Sequence, residues 1–342
     1  MSRKTERYPI DFVIPWVDGT DPAWLAEKEK YSGEMTGSTY AYCYREWGLL
    51  KYWFRAVEKN APWVRRIHFV TWGHLPEWLN TENPKLHVVK HGDYIPEEYL
   101  PTFSANTIEL NAHRIPGLSE HFVYFNDDTY LTRRAKPEDF FLKGKPRDIA
   151  VINPIAPAGR NKISHMMLTD IGVINEYFRK HEVIRKHPLK WYNLKYGKLL
   201  PLNLLFMPWG RFPGLLEMHL PNSFLKSTFL TLWEKEPELL DATCRHTFRD
   251  FKTDVNQWLV REWQVASGNF YPRSTSCGRM INVLDRKTAE KAADCVRKKK
   301  YMMYCVNDHF EEAQEDLMQI VIDAFEEVFP DRSSFELPAG DE

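Results

Sequence analysis

Apolar and polar positions alternate most legibly in the first half of the chain. Residues 10–17, 66–71, 86–90 and 122–125 are short apolar runs bounded by polar or turn-forming residues, and they predict buried strands. Between them, 46–59 sets Trp47, Leu50, Phe54 and Val57 three or four positions apart and predicts an amphipathic helix stopped by Pro62. A second helix is expected to begin near Pro22, capped by Thr20 or Asp21, and a third from 104–109 up to the break at Pro116-Gly117. Strands alternating with helices over 10–152 predict an α/β core with a mainly parallel sheet covered on both faces. Thr129–Thr132 reads as a continuation of the fourth strand.

After residue 152 the pattern turns mostly helical, with helices expected over 170–186, 223–235, 253–266, 286–297 and 309–328. The Pro- and Gly-rich stretch 153–160 is the candidate boundary. It divides the chain into an α/β core, 1–152, and a mostly helical part, 153–342, that completes a single catalytic unit.

Composition narrows the function classes. The 342 residues are 43% hydrophobic, enough for a sizeable core. Lys and Arg number 46 against 47 Asp and Glu, a net charge of -1 that argues against a nucleic-acid binder. Five cysteines with no C-x-x-C spacing read as reduced thiols rather than a disulfide frame or a zinc site. The N-terminus shows no apolar signal region, and no apolar run approaches the ~18 residues of a membrane span. A cytoplasmic protein is expected, working at the inner face of the membrane. Two segments, 298–304 and 199–209, are the candidates for peripheral contact with lipid, although their simpler reading is a solvated basic turn and a buried segment.

The chemistry concentrates in one turn. The fourth strand ends in Asn126-Asp127-Asp128, at the edge where open α/β sheets bind ligands. Adjacent carboxylates there suit Mg²⁺ or Mn²⁺, and such a cation suits a diphosphate; the plain alternative is a polar turn. Asp18 and Gly19 close the first strand, where a nucleoside would sit. The glycine patterns of dinucleotide dehydrogenases and P-loop kinases are absent, as is the serine-hydrolase elbow. Arg114 and Arg249 are candidates for neutralising phosphate, and His219 for taking a proton from a hydroxyl. Cys305-Val306-Asn307-Asp308 repeats the chemistry of the acid turn, either as a further metal or phosphate contact or as a helix cap.

Four blocks together resemble the Stealth family of sugar-1-phosphate transferases. They are 10–22; the series 44–48, 61–64, 70–73, 100–104, 113–119 and 126–128; 219–256; and 305–308 with 329–336. The resemblance implies a GT-A-like, Rossmann-type core that binds a nucleotide sugar, with helical additions. It implies transfer of a hexose-1-phosphate or N-acetylhexosamine-1-phosphate from a UDP-sugar to a hydroxyl of a glycan or lipid-linked oligosaccharide, releasing UMP. On that pattern Asp127, Asp128 and Asp308 hold the metal, and Arg114, Arg249, His219 and Asp128 act on the phosphoryl group. Asp18, Gly19, Ser104, Asn106, Glu109, Asn126 and Asn307 contact the donor. The competing readings are a metal-dependent glycosyltransferase that releases UDP and a non-catalytic carbohydrate-binding subunit.

Overall fold

The computed structural model describes residues 8–32, 44–157, 159, 162–308, 310 and 312–338. In chain order its strands are β1 (Ile10–Trp16), β2 (Ile67–Thr71), β3 (Leu86–Lys90), β4 (His121–Tyr124), β5 (Thr129–Leu131), β6 (Phe141–Leu142), β7 (Lys145–Asp148), β8 (Asn222–Leu225), β9 (Tyr271–Pro272), β10 (Gly278–Val283) and β11 (Met303–Asp308). The central sheet has the order β3-β2-β1-β4-β8. Its first four strands run parallel, and β8 closes the far edge antiparallel to β4. The chain lays β2 and β3 on one side of β1, then returns to place β4 on the other. Strand order therefore reverses between β1 and β4, which opens a crevice beyond their C-terminal ends.

The helix Leu50–Asn60 buries Leu50, Trp53, Phe54 and Val57 at helical spacing. Its rings reach the sheet, with Trp53 against Phe125 at 5.3 Å and Phe54 against Phe69 at 5.9 Å between centroids. It begins four residues later than the periodicity predicts. Gly48 adopts a left-handed conformation (φ 75°), and the Glu46 carboxylate accepts the backbone N–H groups of Gly48, Leu49 and Leu50 from outside the helix. Glu46 is thereby turned away from the helix surface and towards the crevice.

The second half departs most from the sequence expectation. Thr129–Leu131 does not prolong β4 but starts a second sheet, β10-β11-β5, in which Cys305 lies opposite Thr129. Cys305–Asp308 is strand, not a turn or a cap. The expected helix at 170–186 is two helices, Ile163–Tyr177 and Lys180–Lys186, and the one at 223–235 yields its first residues to β8. β8 has only four residues, too few for either period to register, and β10 interrupts its apolar positions with Arg279 and Asn282, so the partner strand decides both. Residues from both sides of position 152 meet in all three sheets, the third being β6-β7-β9.

The last block folds back onto the helix Leu50–Asn60. Arg55 donates from Nε and one terminal nitrogen to the two oxygens of Glu336, each at 2.8 Å, and from the other nitrogen to the Phe329 and Pro330 carbonyls. Both side chains are buried. Among the described residues, Cys244, Cys277, Cys295 and Cys305 are free and buried, while Cys43 lies outside them. No described helix is long and apolar enough to cross a membrane.

Candidate active site

The crevice beyond β1 and β4 is a cavity of about 330 Å³, within the ordinary range for small-ligand sites. Trp16 and Val17 at the end of β1 line one side, and Asn126, Asp127 and Asp128 after β4 line the floor. The acid turn is held rigidly. Thr129 donates through its N–H and its hydroxyl to the Asn126 carbonyl (3.0 and 2.7 Å), the Tyr130 hydroxyl donates to the Asp127 carbonyl (3.0 Å), and the Val306 N–H donates to the Asp128 carbonyl (3.0 Å). The second sheet thus anchors the turn from behind and brings β11 alongside it.

The negative charge of the turn is only partly relieved. Burial, the neighbouring Asp128 and Glu46 together push the Asp127 carboxyl up to about 7. Burial likewise raises Glu46, against the pull of its three backbone donors. Asp128 Oδ2 accepts from the Cys305 thiol at 3.2 Å and lies 3.4 Å from His219 Nε2, whereas its buried Oδ1 has no hydrogen-bond partner. Burial works against a charged His219, but Asp128, Glu217 and Glu109 outweigh it and lift the imidazole to about 9.

His219 is aimed by its backbone. It takes φ 50°, a left-handed conformation uncommon for a residue with a side chain. Its N–H donates to Glu217 Oε1 at 2.8 Å, and Glu217 Oε2 lies 3.3 Å from a terminal nitrogen of Arg261. Arg261, itself buried, is tied to Asp148 and the Ile149 carbonyl at the end of β7. A polar chain continues across the floor: Gln257 donates to Glu109 Oε1 (3.0 Å) and to Asn126 Oδ1 (3.3 Å), and Asn126 Nδ2 lies 3.3 Å from His219 Nε2. Burial raises the Glu109 carboxyl, with Arg249 acting in the opposite sense.

Of the residues expected from the sequence, Asp127, Asp128, His219, Arg249, Glu109, Asn126, Asn307 and Asp308 all line this cavity. Four others do not. Arg114 is exposed and lies over the Trp233 ring, 5.0 Å from its centroid, outside the cavity lining. It closes a short helical turn, Ala112–Arg114, that ends before β4, so nearness in sequence to the acid turn does not bring it to the strand's other end. Ser104 is fully buried behind the wall. Asn106 donates to Asp254 Oδ2 at 3.0 Å, and Asp254 also accepts from His246 and the Asp250 N–H. Asn106 therefore fixes the loop that carries Arg249 instead of facing the cavity. Gly19 serves packing: a Cβ there would lie 2.2 Å from the Tyr44 carbonyl oxygen, so only glycine lets the 44–47 segment close over the site. Asp18 stands just beyond the lining residue Val17, and its carboxylate accepts from Thr20.

Asp308 lines the cavity, but its carboxylate accepts from Arg45 (3.0 Å), the Trp47 indole (2.7 Å) and the Phe310 N–H (3.0 Å). That engagement gives it an anchoring task at the cavity wall. Arg45, Glu46, Cys305, Gln257 and Glu217 had no assigned role in the sequence. The signal for Arg45, Glu46 and Cys305 was their place inside the resembling blocks; Glu217 and Gln257 carried none.

An acid pair, a histidine and two arginines at the switch point of a mainly parallel sheet define an α/β core whose site suits a phosphorylated ligand. Models of the Stealth protein conserved regions 1, 2 and 4 match residues 8–36, 43–148 and 294–342. A capsular polysaccharide phosphotransferase, WcwK of Streptococcus pneumoniae, is 40% identical over 331 residues, covering 96% of this chain and 98% of its own. The exopolysaccharide phosphotransferase cps2G of Lactiplantibacillus plantarum is 39% identical, covering 96% of each chain. The receptor polysaccharide phosphotransferase WefC of Streptococcus oralis is 41% identical, covering 96% of this chain and 99% of its own. This chain belongs to the Stealth family. Among solved structures, the bifunctional glycosyltransferase WbbM matches at a TM-score of 0.36 and 11% identity over 93% of this chain and 49% of its own, a likeness too slight to carry a conclusion.

Proposed function

We propose that this protein transfers a hexose-1-phosphate or N-acetylhexosamine-1-phosphate from a UDP-sugar to a hydroxyl of a glycan, forming a phosphodiester and releasing UMP, in the synthesis of a bacterial surface polysaccharide. The observation that carries the reading is the cavity itself. It sets the crowded acids Asp127 and Asp128 against His219 and Arg249, in a chain about 40% identical to proteins named polysaccharide phosphotransferases.

The residues fit a hard divalent cation. Asp128 Oδ1 is buried with no partner, and Asp127 is raised to about 7 by crowded negative charge. Both offer oxygen, the donor that Mg²⁺ or Mn²⁺ prefers. Asp127 and Asp128 would hold the ion, which would neutralise charge on the diphosphate and orient it. The protein's own groups do the rest. Arg249 counters charge on the transferring phosphoryl oxygens. His219 manages a proton at Nε2: as imidazolium it faces phosphate, and as imidazole it accepts the proton of the attacking hydroxyl. The acceptor oxygen attacks phosphorus, the bond from that phosphorus to the bridging oxygen breaks, and UMP leaves. Trp16, Val17 and the segment at 44–47 line the region for the nucleoside, beside Asp18. A lipid-linked oligosaccharide is the acceptor consistent with work at a membrane face.

The co-product decides the reading. Purified protein supplied with UDP-sugar, Mg²⁺ or Mn²⁺ and glycan acceptor is expected to release UMP. Release of UDP alone, with the sugar transferred from its anomeric carbon, would overturn it in favour of an ordinary glycosyltransferase.

A further inference from the structure

Large apolar side chains are exposed most densely in one place. Leu204 is 58% exposed, Leu205 64%, Met207 51% and Trp209 54%, all within six consecutive residues. This is half of the 199–209 stretch whose simpler reading in the sequence was a buried segment. The fold holds it in place. Buried Asn203 bonds the Ile152 N–H (2.7 Å) and the Ala150 (2.8 Å) and Trp191 (2.6 Å) carbonyls. Lys180 donates to the Phe206 and Met207 carbonyls at 2.6 and 3.2 Å, and the Phe206 and Trp209 rings pack edge to face at 5.3 Å. The side chains are thus presented outward by a rigid frame.

Charge gathers around the same place. Between 179 and 211 there are eight lysines and arginines against the single acid Glu182, in a chain whose totals are 46 and 47. Arg179, Arg185, Lys186, Lys195, Lys198 and Arg211 are exposed. Leucines, a methionine and a half-exposed tryptophan with a basic surround form the composition that settles at the headgroup level of an anionic bilayer. A nucleic acid would meet the same charge but give the leucines nothing.

We propose that the surface formed by Leu204, Leu205, Met207 and Trp209, with its basic surround, docks this protein on an anionic lipid membrane. The proposal does not depend on the reaction assigned above. Geometry connects the two all the same, since ten residues separate Trp209 from His219 and an extended chain of that length spans at most about 35 Å.

The test is co-sedimentation of the full chain with vesicles of phosphatidylcholine mixed with phosphatidylglycerol, against phosphatidylcholine alone. The wild type is expected to bind the anionic vesicles about tenfold or more tighter, and raised salt is expected to weaken that binding. The variant Leu204→Ser, Leu205→Ser, Trp209→Ser should lose it while turning over a soluble acceptor as the wild type does. Should that variant fail to fold, Lys198→Glu with Arg211→Glu on the exposed surface supplies the same test. Failure of the wild type to bind, or equal binding by wild type and both variants, overturns the proposal. So does a lipid-free dimer that the serine variant converts to monomer, because the surface would then join two copies.

Discussion

Two sets of carboxylates sit at opposite ends of the parallel sheet, a buried Asp11 and a half-buried Asp127-Asp128 pair, and their surroundings could hardly differ more. Asp11, at the start of β1, accepts from Arg65 Nε at 2.7 Å, from a second Arg65 nitrogen, from the Ser119 N–H at 2.8 Å, and pairs with His68 Nε2 at 3.1 Å. Burial alone would raise its carboxyl, but His68, Arg65 and Ser119 hold it well below the usual carboxylate range. At the exit of β4, Asp127 is pushed up by burial, Asp128 and Glu46, and Asp128 keeps an unpartnered oxygen. The first acid is complete within the fold; Asp128 of the second pair keeps one buried oxygen without a partner. On the proposed function, the contrast separates acids that hold the sheet together from acids kept ready for a ligand.

The comparison can be broken experimentally. The largest effect is expected from Asp128→Ala, which should cut UMP release by about a thousandfold while leaving thermal stability equal or higher, because it removes repulsion. A parallel fall in melting temperature would show that Asp128 is structural. Next, Asp11→Ala should cost about 3 kcal/mol of stability by stranding buried donors, with turnover per folded molecule unchanged. Urea denaturation and specific activity measured together decide it.

The pH dependence should have opposite signs at the two ends. Asp11 has a depressed value, so the stability it supplies is present above an unfolded value of about 3.9 and is lost as pH falls below it. Asp127 is raised to about 7, so the folded state binds a proton that the unfolded state has released, and stability falls as pH climbs from about 4 to about 7. Asp127→Asn should therefore stabilise the metal-free protein above pH 7 by on the order of 2 kcal/mol and change little near pH 4. Melting curves in EDTA at both pH values test the sign, and equal shifts at both would refute it. The smallest effect belongs to Glu217, which acts through the backbone of His219. Glu217→Ala should lower kcat by about tenfold with KM nearly unchanged, and Glu217→Gln, which still accepts the N–H, should restore most of it. A rise in KM alone would place Glu217 elsewhere in the mechanism.

Much of this was legible in the sequence, for identifiable reasons. The parallel strands β1 to β4 are continuous apolar runs, and the turn after β4 ends one of them in acids, so fold edge and candidate chemistry announced themselves together. His219 and Arg249 had only their company to speak for them. Arg114 misled because it precedes β4 by a few residues, whereas the cavity lies past the strand's other end. Ser104 and Asn106 start a helix whose N-terminal face turns inward, a matter of tertiary packing. Glu217 and Gln257 have no local signature, since each matters only through a partner far along the chain.

The clasp between Arg55 and Glu336 spans 281 positions. During synthesis the helix that carries Arg55 emerges 281 positions ahead of its counter-charge. Until Glu336 arrives, the buried guanidinium has the Phe329 and Pro330 carbonyls but not its main counter-charge, a penalty of about 3–5 kcal/mol. A truncation just before Glu336 is therefore expected to loosen a fold whose first half is already made, and to leave it open to proteolysis.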